Sequence, residues 1–455
     1  MSRSPASSPR PVVTGRYRYT KWRWRISVRV LDAVGSILIR PWRLLRPVAA
    51  ARPPRKILVV QLDHMGDAIL TTPIFPGLRA AYPHASIEVL ASPSNREVFE
   101  SDPDVDRVHL ADRNWFERRP GRRALGSAVW TLGRSLRSHG YDLGIDVRGD
   151  ILTVLVLALA GIPRRLGWAM GGGGFLLTDV ARWVPGRHEV ESRLALLECL
   201  GLPADPPTRV RVHATDRDRV RVAHRLRDAW PGRPSRRAAT AAGPVLAARP
   251  GPGGAHQRRA ARSRPAASRW DEPDRLHAGR FGDTAPLLAV HLGAGAAAKR
   301  WPTRHWRDLV GRFLADGWRV IAVGGPEDGE VAAALGTHPG LRDWTGRLAV
   351  TETAALLERA DLFIGSDSGP AHLAASAATA SVILFSGTNR PRQWRPWSRR
   401  TLVLRKKVPC RPCHHKACPL ADHPCMTGLD PDRVHRAARR WWARLHHAES
   451  PHGPI

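Results

Sequence analysis

The chain is 455 residues long and contains no run of the roughly 18 consecutive apolar residues that a membrane-spanning helix requires. Its best candidates fail: Ile26–Ile39 is interrupted by Arg29 and Asp32, and Ile151–Ala160 is too short. The N-terminus has positive charge but no clean apolar core followed by a small-residue cleavage site, so export is not expected. Cysteine is scarce, with five in the chain and four of those clustered. That excludes a disulfide framework for a protein this size and favours a reducing, cytoplasmic compartment. Lysine is nearly absent, six residues against 66 arginines, a bias that reflects coding composition as much as function. Acids are outnumbered 40 to 72 by Lys and Arg, leaving a formal charge of +32.

A charge of that size points to nucleic acid, a membrane surface or a polyanion. Its location weakens the first reading. Residues 1–55 hold 13 basic residues and one acid, and residues 231–284 hold 11 arginines and four acids. These two peripheral segments contribute +12 and +7, so a nucleic-acid partner for the folded body is not expected. The hydrophobic fraction of 43% and the 17 tryptophans exclude wholesale disorder.

What remains is enough for two domains with separate cores. Residues 1–21 read as disordered. Trp22–Leu45 is a basic amphipathic segment with Ile26, Val30, Val34, Ile37 and Leu38 on one helical face. Such a helix suits an anionic membrane surface, packing on the body or a solvated tail being the plain alternatives. Residues 1–54 are therefore set apart as a tail. Residues 55–230 form a first α/β domain, with strands expected at Lys56–Leu62, Ile87–Ala91, Arg107–Leu110 and Leu143–Val147 and a closing helix at His188–Leu200. Residues 231–284, rich in Ala, Arg, Pro and Gly, read as a linker or insertion. Residues 285–455 form a second α/β domain with strands at Pro286–Leu292, Trp318–Val323, Asp361–Ile364 and Ser381–Phe385. Alternating strands and helices indicate open, doubly wound parallel sheets, which bind ligands beyond the carboxyl ends of their strands.

Four strand ends carry candidate chemistry. After the first strand comes Asp63-His64-Met65-Gly66-Asp67, where Asp67 is either a helix cap or a general base and His64 a competing base. The second domain opens with Gly293-Ala294-Gly295-Ala296-Ala297-Ala298-Lys299. Its small residues admit close backbone approach, and Lys299 is either a solvated loop charge or a counter-charge for a diphosphate. The turn is no P-loop, because the Gly-Lys-Ser/Thr ending is missing. In Gly324-Gly325-Pro326-Glu327-Asp328, Glu327 either accepts ribose hydroxyls or caps the next helix. Ser366-Asp367-Ser368-Gly369-Pro370-Ala371-His372 reads as strand, turn and a helix opening on Pro370. The amides of Ser368, Gly369, Ala371 and His372 would form an anion seat, with Asp367 placed to hold hydroxyls attached to that anion.

Two further groups read more plainly. Asp102, Asp104 and Asp106 form a polar turn rather than a metal site. Cys410, Cys413, Cys418 and Cys425 fit reduced structural thiols best, with zinc or an iron–sulfur cluster, and disulfides or redox sensing, as the alternatives. Cys199 reads as core. Arg148-Gly149-Asp150 carries no readable signal.

Taken together, the segments Lys56–Thr72, Gly293–Pro302, Gly324–Glu327 and Ser366–His372 resemble the bacterial heptosyltransferases of glycosyltransferase family 9. Thr388–Trp394 and the Cys-rich stretch also resemble family members. The likeness spans about 56–230 and 285–445. It implies a GT-B fold with two Rossmann-like domains, acceptor on the first and nucleotide sugar on the second. It also implies inverting transfer from ADP-heptose to a lipopolysaccharide inner-core acceptor, with no cofactor and no essential metal. Asp67 matches the family's base, Lys299 its phosphate-contacting lysine, Glu327 its ribose-side acid and Asp367 a donor-sugar contact. Ser368, Gly369 and His372 match the diphosphate turn, which also contains Pro370 and Ala371, and Gly293 opens the facing turn. The Ala296-Ala297-Ala298 stretch departs from members with hydroxyl residues there, which leaves another nucleotide sugar or surface glycan as an alternative. A degenerate membrane-surface or nucleic-acid-binding protein is the reading from another class. A lipid-linked acceptor would put the protein in the cytoplasm, peripheral on the inner membrane.

Overall fold

The computed structural model describes residues 22–45, 52–111, 122–204, 209–231 and 285–448. The expectations for residues 1–21 and for 232–284 fall outside them. The chain divides into two compact units. One comprises residues 1–219 and 285–455 and holds both sheets. The other is 220–284, whose described residues are the later part of helix Asp216–Ala229 and its exit.

The first sheet runs through β1 (Lys56–Gln61), β2 (Ser86–Ala91), β3 (Arg107–Leu110), β4 (Leu143–Asp146), β5 (Arg164–Gly167) and β6 (Asp179–Val180). Its spatial order is β3-β2-β1-β4-β5-β6, and every pairing is parallel. The second sheet contains β7 (Leu287–His291), β8 (Arg319–Val323), β9 (Leu341–Asp343), β10 (Leu362–Ser366), β11 (Ser381–Phe385) and β12 (Thr401–Arg405). Its order, β12-β11-β10-β7-β8-β9, repeats the first, again wholly parallel. Central strands covered by helices on both faces must be apolar throughout, and Ile57–Val60, Leu287–Val290 and Leu362–Ile364 are fully buried or nearly so.

The continuous apolar strands lie where the sequence indicates, within two residues at their ends. Four strands were not expected: β5, β6, β9 and β12. All are outer or next-to-outer, and Arg164-Arg165, Arg342-Asp343 and Thr401 dilute their apolar pattern. The helix after β10 is Gly369–Ser376 with Ser368 as its N-cap, so Pro370 occupies the second helical position rather than the first. The consequence is small, because the second amide of a helix also lacks an intrahelical partner.

Beneath the second sheet, Trp306, Phe313, Trp301 and Trp318 pack with Val434 and Ala438 of the last helix, Pro431–Ala448. Trp301 and Trp306 meet edge to face with centroids 4.9 Å apart, as do Phe313 and Trp318 at 5.2 Å. Direct bonds join the two halves of the large unit. Arg219 forks onto Glu358 at 2.9 and 3.0 Å, and the Val350 amide donates to Glu97 at 2.7 Å.

Candidate active site

In a sheet of this order, the connections leave in opposite directions from the two central strands, opening a crevice at their carboxyl ends. The two switch points here are β1/β4 and β7/β10. Asp63–Asp67 leaves β1, Arg148–Asp150 leaves β4, Gly293–Lys299 leaves β7 and Asp367–Gly369 leaves β10. Three of the four sequence motifs thus fall at switch points.

The switch points approach each other through two helix starts, Met65–Thr71 and Gly369–Ser376. Gly66 makes the approach possible, since a Cβ there would stand 3.0 Å from Cδ2 of His372. Met65 packs on Gly369 from the same side. The close approach at Gly66 is therefore to the other sheet's helix.

On the first side, a cavity of about 210 Å³ contains Asp67 among Asp63, Arg148, Glu189, Arg193 and the rings of Trp168, Trp183 and Trp394. Asp67 is no side-chain cap; the helix N-cap is His64, and it makes no side-chain cap bond. Burial, reinforced by the Asp63 carboxylate, raises the Asp67 pKa to about 7, although the Arg193 cation opposes the shift. The guanidinium of Arg193, almost wholly buried, lies 3.4 Å from Asp67, is paired with Glu189 and donates from Nε to Thr71 at 2.9 Å. Gln61 completes the support by donating to Thr71 Oγ1 at 2.7 Å and to the Asp67 carbonyl at 3.1 Å. Glu189 also accepts from Gln393 of the second half at 2.8 Å. Arg148 is paired with Asp63, and its turn is held by Asp146, which accepts the amides of Arg148 and Gly149 at 3.1 and 2.9 Å.

His64 is exposed, and its pKa is lowered chiefly by desolvation, with Asp63 opposing and Arg148, Lys299 and Lys416 adding to the shift.

On the second side, Lys299 Nζ contacts Asp367 Oδ2 at 2.7 Å and donates to the Asp367 carbonyl at 3.2 Å. Asn389 donates to the same carboxylate oxygen at 2.9 Å. Asp367 is buried and charge-compensated, which removes the difficulty of a bare acid next to an anion seat. His372 is buried too, its pKa driven down to about 4 by desolvation, so its imidazole is neutral at pH 7. Its Nδ1 is buried with no hydrogen-bond partner, a cost a polar ligand atom would relieve. Ser368 Oγ meets His291 Nδ1 at 3.0 Å, and His291 Nε2 meets Asp328 at 3.2 Å.

Four expectations change here. The Ala371 amide is not open to a ligand, because it donates to the Ser368 carbonyl at 3.1 Å. Gly293 is small because of a neighbour, since a Cβ there would lie 1.7 Å from Asp328 Oδ1. In the β7 turn, the amides of Ala298, Lys299 and Arg300 are used within the protein, donating to Lys416, Ala296 and Ala297. Glu327 is exposed on the turn Pro326–Asp328, while Asp328 beside it is buried and accepts the Gly325 amide at 3.1 Å. Asp328 is also the residue preceding helix Gly329–Ala333, so Glu327 is not its cap.

The carboxylates of the Asp-x-Asp imitation are spent on guanidinium groups. Asp102 and Asp104 hold Arg211 at 3.2 and 2.8 Å, and Asp106 holds Arg79 at 2.6 Å. Among the described residues, no three His, Cys, Asp or Glu side chains are grouped so as to hold a metal ion. The five cysteines are free thiols, and Cys425 is buried in the second core.

The sequence did not disclose Glu189, Arg193, Trp168 or Trp183 or give Arg148 a role, and it marked Trp394 only within the stretch Thr388–Trp394. One signal was available: Arg193 falls at helical spacing with Val190, Leu194 and Leu197, on the buried face of its helix. A charge buried there needs a partner.

The sequence model of glycosyltransferase family 9 (heptosyltransferase) matches residues 255–423. Lipopolysaccharide heptosyltransferase 2 of Escherichia coli (strain K12) is 24% identical over 359 residues, spanning 77% of this chain and 88% of that protein. Lipopolysaccharide heptosyltransferase 3 of Escherichia coli is 23% identical over 343 residues, spanning 73% and 84%. Among solved structures, that of E. coli ADP-heptose lps heptosyltransferase II superimposes with a TM-score of 0.61 at 21% identity, covering 86% of this chain and 99% of that one. A glycosyl transferase family 9 structure from Veillonella parvula DSM 2008 gives 0.63 at 21%, covering 86% and 97%. These likenesses establish the GT-B arrangement of two Rossmann-like domains.

Proposed function

We propose, from its likeness to glycosyltransferase family 9 (heptosyltransferase), that this chain transfers heptose from ADP-heptose to a lipopolysaccharide inner-core acceptor with inversion. The acceptor hydroxyl enters the cavity beside Asp67, on the first domain (residues 55–230). The nucleotide sugar lies along the second domain (residues 285–455), with its diphosphate near Lys299 and the start of helix Gly369–Ser376. Asp67 takes the hydroxyl proton as the acceptor oxygen attacks the anomeric carbon. The bond from that carbon to the diphosphate oxygen breaks on the opposite face, and ADP leaves with the electron pair. Lys299 and the amides of Ser368, Gly369 and His372 offset the charge that develops on the leaving group. Asp367, held by Lys299 and Asn389, accepts sugar hydroxyls, and Gly293 and Glu327 lie on the nucleoside side.

One observation carries the reading: a carboxylate whose pKa lies near 7 stands in a cavity at one switch point, with a lysine–aspartate pair at the other. A general base works best when its pKa is close to the working pH. His64 is the competing base, but it does not line the cavity that holds Asp67. Nothing in the mechanism calls on a metal or a cofactor, and the aspartates that imitate a metal motif are already paired with arginines. A lipid-linked acceptor places the reaction at the cytoplasmic face of the inner membrane.

The test is incubation with ADP-heptose and a panel of truncated lipopolysaccharides, following product mass and ADP release. One acceptor should gain a single heptose with one ADP released per transfer, and His64→Ala should retain activity. Transfer from another nucleotide sugar, with none from ADP-heptose, would overturn the donor assignment and favour the alternative suggested by Ala296-Ala297-Ala298.

A further inference from the structure

We propose that the N-terminal helix Trp22–Leu45 is a docking face for an anionic phospholipid bilayer. The helix is already fixed to the body, but only along a narrow strip. Among its described side chains, residues 22–23 and 25–39, the buried positions are Val28, Asp32 and Gly35, which lie one turn apart on a single line. Val28 rests against Gly172, and Asp32 Oδ1 accepts the Gly173 amide at 2.7 Å. Gly35 fits because a Cβ there would stand 2.5 Å from the Phe175 ring.

Packing against the body therefore does not account for the apolar face. Ile26, Val30, Val34 and Ile37 lie on the side opposite Val28, flanked by Leu31 and Leu38, and all six are exposed. Ile37 and Leu38 are 70% and 75% exposed. Eleven large hydrophobic side chains are exposed among the described residues, and seven of them, Trp22 included, are on this one helix. Scattered exposed apolar residues need no explanation, but a concentration of this kind does.

Charge selects the occupant. Residues 1–55 contain 13 basic residues and one acid, and that acid is Asp32, turned inward onto Gly173. The outward surface thus combines apolar side chains with arginines such as Arg23 and Arg29, the combination that enters an anionic headgroup layer. A second copy would bring two such segments together, each at +12, and the +7 segment 231–284 is repelled for the same reason. Nucleic acid would satisfy the arginines and leave the apolar face unused.

The helix also braces a functional loop. The Gly172–Phe175 stretch it grips follows directly on Trp168 and Met170, which line the Asp67 cavity. A bilayer bound at this face would hold that cavity next to the membrane. The docking claim itself stands without the transfer reaction.

Flotation of the full chain with vesicles tests the proposal. The protein should float with phosphatidylcholine vesicles containing phosphatidylglycerol, not with phosphatidylcholine alone, and raised salt should weaken the binding. Val30→Glu/Val34→Glu/Ile37→Glu should lower partitioning by at least about tenfold, with the thermal transition unchanged because all three side chains face out. The Gln triple at the same positions should also lose binding, separating apolar contact from charge. If the triple variants are misfolded, Arg23→Glu alone supplies the charge test. Equal binding to both vesicle types, binding to neither, or undiminished binding by the triple variants would overturn the proposal. So would a dimer that dissociates on the Glu substitutions without any effect on vesicles.

Discussion

The two sheets share one strand order, yet their switch points carry opposite electrostatic designs. At β1/β4, the acids Asp63, Asp67 and Glu189 outnumber the cations Arg148 and Arg193, and burial lifts Asp67 to about 7. At β7/β10, Asp367 is matched by Lys299 at 2.7 Å and held by Asn389 at 2.9 Å, so the charge is balanced before any ligand arrives. The same topology therefore serves two tasks. An under-compensated carboxylate holds its proton loosely near neutral pH and suits proton transfer. A compensated pair suits a charged donor, because the lysine can turn to phosphate while Asn389 still holds the acid.

The largest expected effect is at Asp67. Asp67→Asn should lower kcat for transfer by about 10²–10⁴-fold while ADP affinity is unchanged. Full activity in that variant would remove the distinction between the two sides. Lys299→Met should lower kcat/KM by about 10²–10³-fold and weaken ADP binding as well, measurable by calorimetric titration. Loss of turnover with unaltered ADP affinity would place Lys299 on the acceptor side instead.

Glu88 gives a third contrast, inside the first sheet. Burial opposes its ionisation, but hydrogen bonds from His109, Tyr141 and Ser86 outweigh that and bring its pKa to about 2. A carboxylate lowered in the folded state stabilises it above the ordinary carboxylate range, and that stability is lost as pH falls toward 2. Glu88→Gln should thus cost roughly 1–3 kcal/mol near neutral pH in denaturant titrations and flatten the acid limb. Asp67 has the opposite sign. Its raised pKa favours the folded state while the carboxyl is protonated, and that contribution is lost as pH rises through about 7. Asp67→Asn should therefore show less loss of stability between mildly acidic and neutral pH.

The smallest effect is expected at Arg193. Its cation lowers the Asp67 pKa, so displacing the charge in Arg193→Lys should move the acidic limb of kcat/KM upward by less than about one pH unit. An unmoved limb would dissociate Arg193 from the titrating group.

Much of this was legible before the fold was known. β1, β7 and β10 are continuous apolar runs, and Gly66-Asp67, Lys299 and Asp367-Ser368-Gly369 follow directly on them. Local chemistry predicts local structure well where a buried parallel strand ends in a glycine turn. Arg193, Glu189 and Arg148 were hidden because their meaning depends on pairings across long stretches of chain, Arg193 with Thr71 and Arg148 with Asp63. Gly66 stands in the first motif, but its neighbour across space, His372, lies on the other sheet's helix. The helix Trp22–Leu45 shows the same limit. Its apolar face was legible, while the narrow strip that leaves this face uncovered was not.

The most direct test of the divided assignment is ADP titration and turnover measured side by side in Asp67→Asn and Lys299→Met. The account predicts that both lose transfer but only Lys299→Met loses nucleotide affinity. Equal weakening of ADP binding in the two variants would contradict it.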